Sequence, residues 1–237
     1  MRFALLAVLL LLPVSTLSAA AGEKLDMRFN HEGRVFHKLA EIDEGTDLDL
    51  SIPLQSEDKS SSVLLKLRAS LQPVDAFGRG TLLYKMSLHG AGDALLLESA
   101  ATVYVRHGTY SKIAECGGWD FNLGLNTKDK SGLRTNDDMV TVTAKSARGD
   151  QKCQMHIKPG ANGKMAAQLY DDEGKPQVFS FKLSPGDEQQ FGGTFNVGYE
   201  LKFPGYATQG VVALAPRHGQ TIKQGSRAAY VWLSQDN

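Results

Sequence analysis

The sequence predicts an all-β protein: an antiparallel β-sandwich, arranged as one large or two smaller tandem sandwich domains behind a signal peptide. Three observations lead there. Apolar and polar residues alternate with period two along many short runs. Turn-forming residues separate those runs. No stretch of the 237 residues shows the apolar spacing of a long amphipathic helix.

Taken in order, the chain opens on a segment built for processing. Arg2 is followed by an unbroken apolar run from Ala4 to Leu12, then Pro13 and the small residues Ser18-Ala19-Ala20-Ala21-Gly22. That is the pattern of a secretory signal peptide over residues 1–21, with cleavage after Ala20 or Ala21. The run is well short of the roughly 20 residues a membrane-spanning helix needs. No later stretch is apolar enough to span, so no membrane span is expected. What remains, about 215 residues, is long enough to bury a real core once or twice.

Leu48, Leu50, Ile52 and Leu54 alternate with Asp47, Asp49 and Ser51. Val63, Leu65, Leu67, Ala69 and Leu71 alternate with Lys66, Arg68 and Ser70. The same pattern recurs at Trp119–Leu125, Phe179–Leu183 and Tyr199–Phe203. One wet and one dry face per strand marks antiparallel sheets packed on a core. Glu32-Gly33, Glu44-Gly45, Gly90-Ala91-Gly92, Gly160–Gly163, Asp172-Glu173-Gly174 and Pro185-Gly186-Asp187 supply the turns. Only Asp93–Ala101 leaves room for a helical turn.

Residues 126–138 (NTKDKSGLRTNDD) are polar, charged and without hydrophobic period, as a linker would be. They divide the chain into 22–125 and 139–237, each a sandwich domain or one half of a single sandwich. A faint internal likeness joins FNHEGRVFHKL (29–39) to YDDEGKPQVFSFKL (170–183), a weak sign of tandem related units.

Lysine plus arginine and aspartate plus glutamate stand at 26 each, so the chain is neutral, and close to −1 once Arg2 is removed. Nucleic-acid binders carry a basic excess or stripe, so nucleic acid is not an expected partner. The acids Glu41, Asp43, Glu44, Asp47 and Asp49 read as a solvated face, since Asp47 and Asp49 fall on the wet side of a strand.

Chemistry centres on the stretch DQKCQMHIKPG (150–160). Cys153, Met155 and Ile157 alternate with Gln154, His156 and Lys158. In a strand, Cys153 therefore faces the core and His156 faces away. The other cysteine is Cys116. Two cysteines in an exported chain are most simply one disulfide, here closing about 37 residues and contributing roughly 4 kcal/mol in the chain-entropy model. The rival is a copper or zinc site drawn from His107 (or His89), Cys153, His156 and Met165. Its spacing is poor, because Met165 lies across a glycine turn from His156. Trp119, after Gly117-Gly118, is expected to pack over the disulfide or to contact a ligand.

His31, His37 and His218 fall in no catalytic motif, and no G-x-S-x-G elbow or phosphate loop occurs. Asp171-Asp172-Glu173 and Asp137-Asp138 match no calcium loop. These features imply a non-catalytic exported module, periplasmic or extracellular, that binds, adapts or assembles in the cell envelope without a cofactor. Its expected partner is another envelope protein or a polymer. The alternatives are a copper- or zinc-binding protein using Cys153 and His156, and a hydrolase whose site is assembled in space. Exported protein should begin at Ala21 or Gly22 by intact-mass measurement; a mass that retains residues 1–20 would contradict the signal-peptide reading.

Overall fold

Every alternating run named above forms a strand. The computed structural model describes residues 22–55, 62–127, 139–146, 151–185, 194–223 and 229–236. The expected signal peptide, most of the expected linker (128–138, with Asp137-Asp138) and Gly186-Asp187 lie outside the described residues. In the first half the strands are β1 (Glu23–His31), β2 (Arg34–Ile42), β3 (Asp47–Gln55), β4 (Ser62–Leu71), β5 (Arg79–His89), β6 (Leu95–Arg106), β7 (Tyr110–Cys116) and β8 (Trp119–Leu125). In the second half they are β9 (Met139–Ser146), β10 (Lys152–Ile157), β11 (Gly163–Tyr170), β12 (Pro176–Pro185), β13 (Phe195–Phe203), β14 (Tyr206–Leu214), β15 (Gly219–Lys223) and β16 (Ala229–Asp236). Asp93 ends a single 3-10 turn, Ala91–Asp93, and the segment after it is strand.

Two eight-stranded antiparallel sheets pack face to face. Sheet A runs β15-β16-β9-β10-β7-β8-β1-β2, and sheet B runs β14-β13-β12-β11-β6-β5-β4-β3. Leu25, Met27 and Phe29 of sheet A and Leu65, Leu67 and Met86 of sheet B belong to one continuous buried cluster. Burying each such side chain contributes about 1.5–3 kcal/mol. A one-residue slip would turn the whole apolar row of a strand outward, so alternation locks register.

The strand orders contain a repetition. Each half lays two strands in sheet A, four in sheet B and two more in sheet A, in the same lateral order. Thus β1–β8 correspond to β9–β16 in turn. The details follow. A β-bulge falls at Ile113 in β7, where register shifts between Lys112 and Ala114, and at Ile222 in β15, between Thr221 and Lys223. YKMSLHG (84–90) and YELKFPG (199–205) occupy equivalent places at the ends of β5 and β13. By contrast, the likeness between 29–39 and 170–183 joins the β1–β2 hairpin to the β11–β12 hairpin. Those are not equivalent strands, and both simply contain a tight turn followed by an alternating strand.

The halves meet edge to edge, and both sheets continue across the seam. In sheet A, β10 pairs with β7 through Cys153–Cys116, Gln154–Glu115 and Met155–Ala114. In sheet B, β11 pairs with β6 from Gly163–Ala101 to Ala167–Leu97. Cys116 and Cys153, directly opposite one another with Cα atoms 4.1 Å apart, are disulfide-bonded. Gly117 and Gly118 (φ 56° and 80°) make the left-handed two-residue turn that brings Trp119 opposite Cys116 and closes the β7–β8 hairpin. The Ile113 bulge leaves a carbonyl outside the ladder. The Tyr84 hydroxyl, buried in the core, donates to it at 3.2 Å and lies 2.8 Å from Ser99 Oγ. This polar link ties sheet B to sheet A beside the seam.

Replacing both cysteines by alanine should cost about 2–5 kcal/mol. Because the bridge crosses the seam, amide exchange should rise first in β7 and β10. Uniform loss of protection, or none, would mean that the bond does not hold the seam.

Candidate functional site

The residues singled out by sequence are scattered over the fold. Cys153 is fully buried and its sulfur is held in the disulfide. His156 lies on the outer face of sheet A, its Nδ1 2.9 Å from Thr141 Oγ1. Met165 is buried in the core from sheet B, and His107 Nε2 sits 3.0 Å from Glu23 Oε2. His89 contacts Ser87 and Asp93. The suggested metal set of His107, Cys153, His156 and Met165 is therefore not brought together: alternation sends Cys153 and His156 to opposite faces, and Met165 belongs to the other sheet. Among the described residues, no three His, Cys, Asp or Glu side chains gather as ligands would. Trp119 is buried, stacked on His31 at 4.1 Å and tilted against Phe36 at 5.8 Å, opposite Cys116 in the β7–β8 pair.

A polar cluster that motif reasoning passed over lies on the outer face of the first half. Asp26 alternates with core-facing Leu25 and Met27, yet is only 1% exposed. Its Oδ1 lies 2.5 Å from His37 Nε2, and the buried Tyr110 hydroxyl is 3.4 Å from the same nitrogen. Thr127 donates to Tyr110 at 3.3 Å, and the Arg28 guanidinium stands 5.9 Å from the Tyr110 ring centre. Burial, with the Asp26 carboxylate adding to it and the Thr127 hydrogen bond opposing it, raises the Tyr110 hydroxyl above the usual phenol range. The arrangement can orient the imidazole between a carboxyl group and a phenol. The signal in the sequence was a carboxylate on the polar side of an alternating strand and a histidine four residues past the Glu32-Gly33 turn, too diffuse to select without tertiary contacts.

The second cluster straddles the seam. Lys112 of β7 pairs with Glu115, and with Asp120 of β8 at 3.3 Å; Lys152 of β10 reaches Glu115 at 3.4 Å. On sheet B, Lys164 of β11 reaches Glu98 of β6 at 2.9 Å. Lys158, after β10, donates its backbone N–H to the Thr102 carbonyl at 2.7 Å and lays its ammonium 5.0 Å from the Tyr104 ring centre. Two ion pairs, a cation–π contact and the disulfide thus join the halves.

At the outer ends, the edge strands pair with no further strand among the described residues: β2 and β3 at one end, β14 and β15 at the other. Leu48, Leu50 and Ile52 of β3 pack half-buried against the core margin, whereas Tyr206 and Val211 of β14 are exposed. Beside β3, a shallow depression of about 470 Å³ is lined by Asp49, Ser51, Lys66, Arg68, Lys85 and Ser87, with Arg68 Nη2 bonded to Asp47 at 2.5 Å. No family model, curated protein or solved structure matches the chain.

The seam carries a pH signature. Burial pushes the Glu115 carboxyl up, but the hydrogen bond and charge of Lys112 and the charge of Lys152 outweigh it, leaving the carboxyl below its ordinary value of 4.5. A depressed carboxylate contributes fully above its ordinary value, and that contribution is lost as pH falls through the lowered one. Glu115→Gln should therefore melt below the wild type at neutral pH, with the gap closing on acidification below about 4.5. A gap independent of pH would show that these ion pairs add nothing to stability.

Proposed function

We propose that this chain is a non-catalytic, exported binding module of the cell envelope that joins partners through the edge strands of its sandwich, as an adaptor or assembly unit. The observation that carries the reading is the pair of open strand ends. Among the described residues each presents two unpaired edges, one from each sheet, and the chain itself shows at its seam that such edges accept a neighbour. An exposed edge offers a row of backbone donors and acceptors, so pairing with it needs little side-chain specificity. The disulfide supports an oxidising compartment, since such bonds persist outside the cytosol. No helix among the described residues is long and apolar enough to cross a membrane. The balanced charge supports a protein or polymer partner over a nucleic acid.

A photo-crosslinking side chain placed at Asp49 in β3 or Gln209 in β14 should capture a partner in the cells that export the protein. The same probe at Lys164, exposed at the seam in the middle of sheet B, should not. Capture from Lys164 with none from the edges would refute edge binding.

A further inference from the structure

We infer that the partner at the open ends is a second copy of this chain, added head to tail by the same edge pairing that joins the two halves. The inference rests on the edge-binding reading above and names its occupant.

The argument starts from the repeated strand order. Both halves run in the same lateral direction, so one is carried onto the other by a shift along the sheets and not by a two-fold axis. The seam joins the β10/β11 end of the second half to the β6/β7 end of the first. The free ends are their equivalents: β2/β3 on the first half and β14/β15 on the second. A second copy placed by the same shift brings β3 against β14, an unlike, non-closing contact that leaves a fresh end each time.

Register follows from the equivalent pairs. Leu50 and Met165 sit opposite Leu67 and Phe181, and Ser99 and Thr208 sit opposite Met86 and Leu201. Where the seam sets Met165 beside Ser99, the intermolecular pair is Leu50 beside Thr208. Half-buried apolar side chains on β3 thereby gain cover.

Charge supports the same direction of joining. Glu41 near the end of β2 and Asp43 and Glu44 in the β2–β3 connection are exposed. The equivalent β10–β11 connection packs beside strand β6 at the seam through Lys158 and Thr102. The matching place on a second copy lies along β14 and the β14–β15 connection, which carries exposed Arg217 and His218. Acid meets base across the contact.

The ends also differ from the seam in ways that make the contact reversible. Phe36 occupies the position of Cys153, so no disulfide can form across it. Exposed Lys38 stands where the seam has buried Met155, and a charge on an edge strand's inner side weakens pairing there. The contact therefore rests on the sheet B edges.

The test is sedimentation velocity of mature, oxidised protein from micromolar to millimolar concentration. The weight-average mass should rise without a plateau at two chains. Leu50→Lys blocks the β3 edge and Thr208→Lys the β14 edge, so each variant alone should stay monomeric, and their equimolar mixture should form dimers and nothing larger. A wild type that stays monomeric throughout, or a single variant that still self-associates, overturns the inference. If either variant fails to fold by circular dichroism, exposed charges take its place. Glu41→Lys with Asp43→Lys, and separately Arg217→Glu, should each weaken association several-fold, and all three in one chain should restore it. Failure of that rescue also overturns the inference. A chain that stays monomeric while its edge positions still capture a different protein would refute self-assembly and leave the binding reading standing.

Discussion

The structure depends on how unpaired strand edges are satisfied where its two halves meet. An eight-stranded half has an open edge on each side of each of its sheets. Every such edge exposes backbone donors and acceptors that need partners or water. The chain closes two of these edges on each half by pairing β10 with β7 and β11 with β6, so both cores become one. The Cys116–Cys153 bond sits at the short sheet A junction, where only three residue pairs are in register, while the longer sheet B junction has no covalent tie. The covalent bond thus supports the seam where backbone pairing is least extensive.

The polar contacts beside the seam have the same logic. A bulge at Ile113 frees a carbonyl in the interior, a costly group to leave without a partner, and the Tyr84 hydroxyl takes it up. Lys152 and Lys164 cross from the second half to acids of the first, one on each sheet. Partial exposure keeps each pair modest in energy. Their value lies in alignment: wrong registers would separate them.

The repetition also shows what the fold does not require. Asp26, Arg28 and His37 on the outer face of the first half occupy the places of Thr141, Thr143 and Gln154 in the second. Thr143 and Gln154 are joined by a hydrogen bond between a hydroxyl and an amide at 2.7 Å, whereas Asp26 and His37 set a carboxyl group against an imidazole. The same backbone supports either chemistry. A buried carboxylate on one half alone is therefore a property of that half's surface, not a condition of folding.

Much of the architecture was legible in the residues. Alternation at 63–71 or 119–125 carries strand, face and burial together, because successive side chains point to opposite sides of a strand. The same rule separated Cys153 from His156, and one bond was the simplest state for a chain with two cysteines. The repeat was harder to see. Its true markers, the bulged Ile113 and Ile222 and the paired YKMSLHG and YELKFPG hairpins, are short, while the more obvious likeness at 29–39 and 170–183 arises from shared hairpin chemistry. The Asp26–His37–Tyr110 cluster draws on three strands and left no local motif. By itself the sequence determined the strands, their inward faces and the cysteine pairing, because these follow from local period and chemistry. Only the tertiary structure decided which edges pair and which stay open, because backbone hydrogen bonding between strands is blind to side-chain identity and is settled by how the two sheets pack.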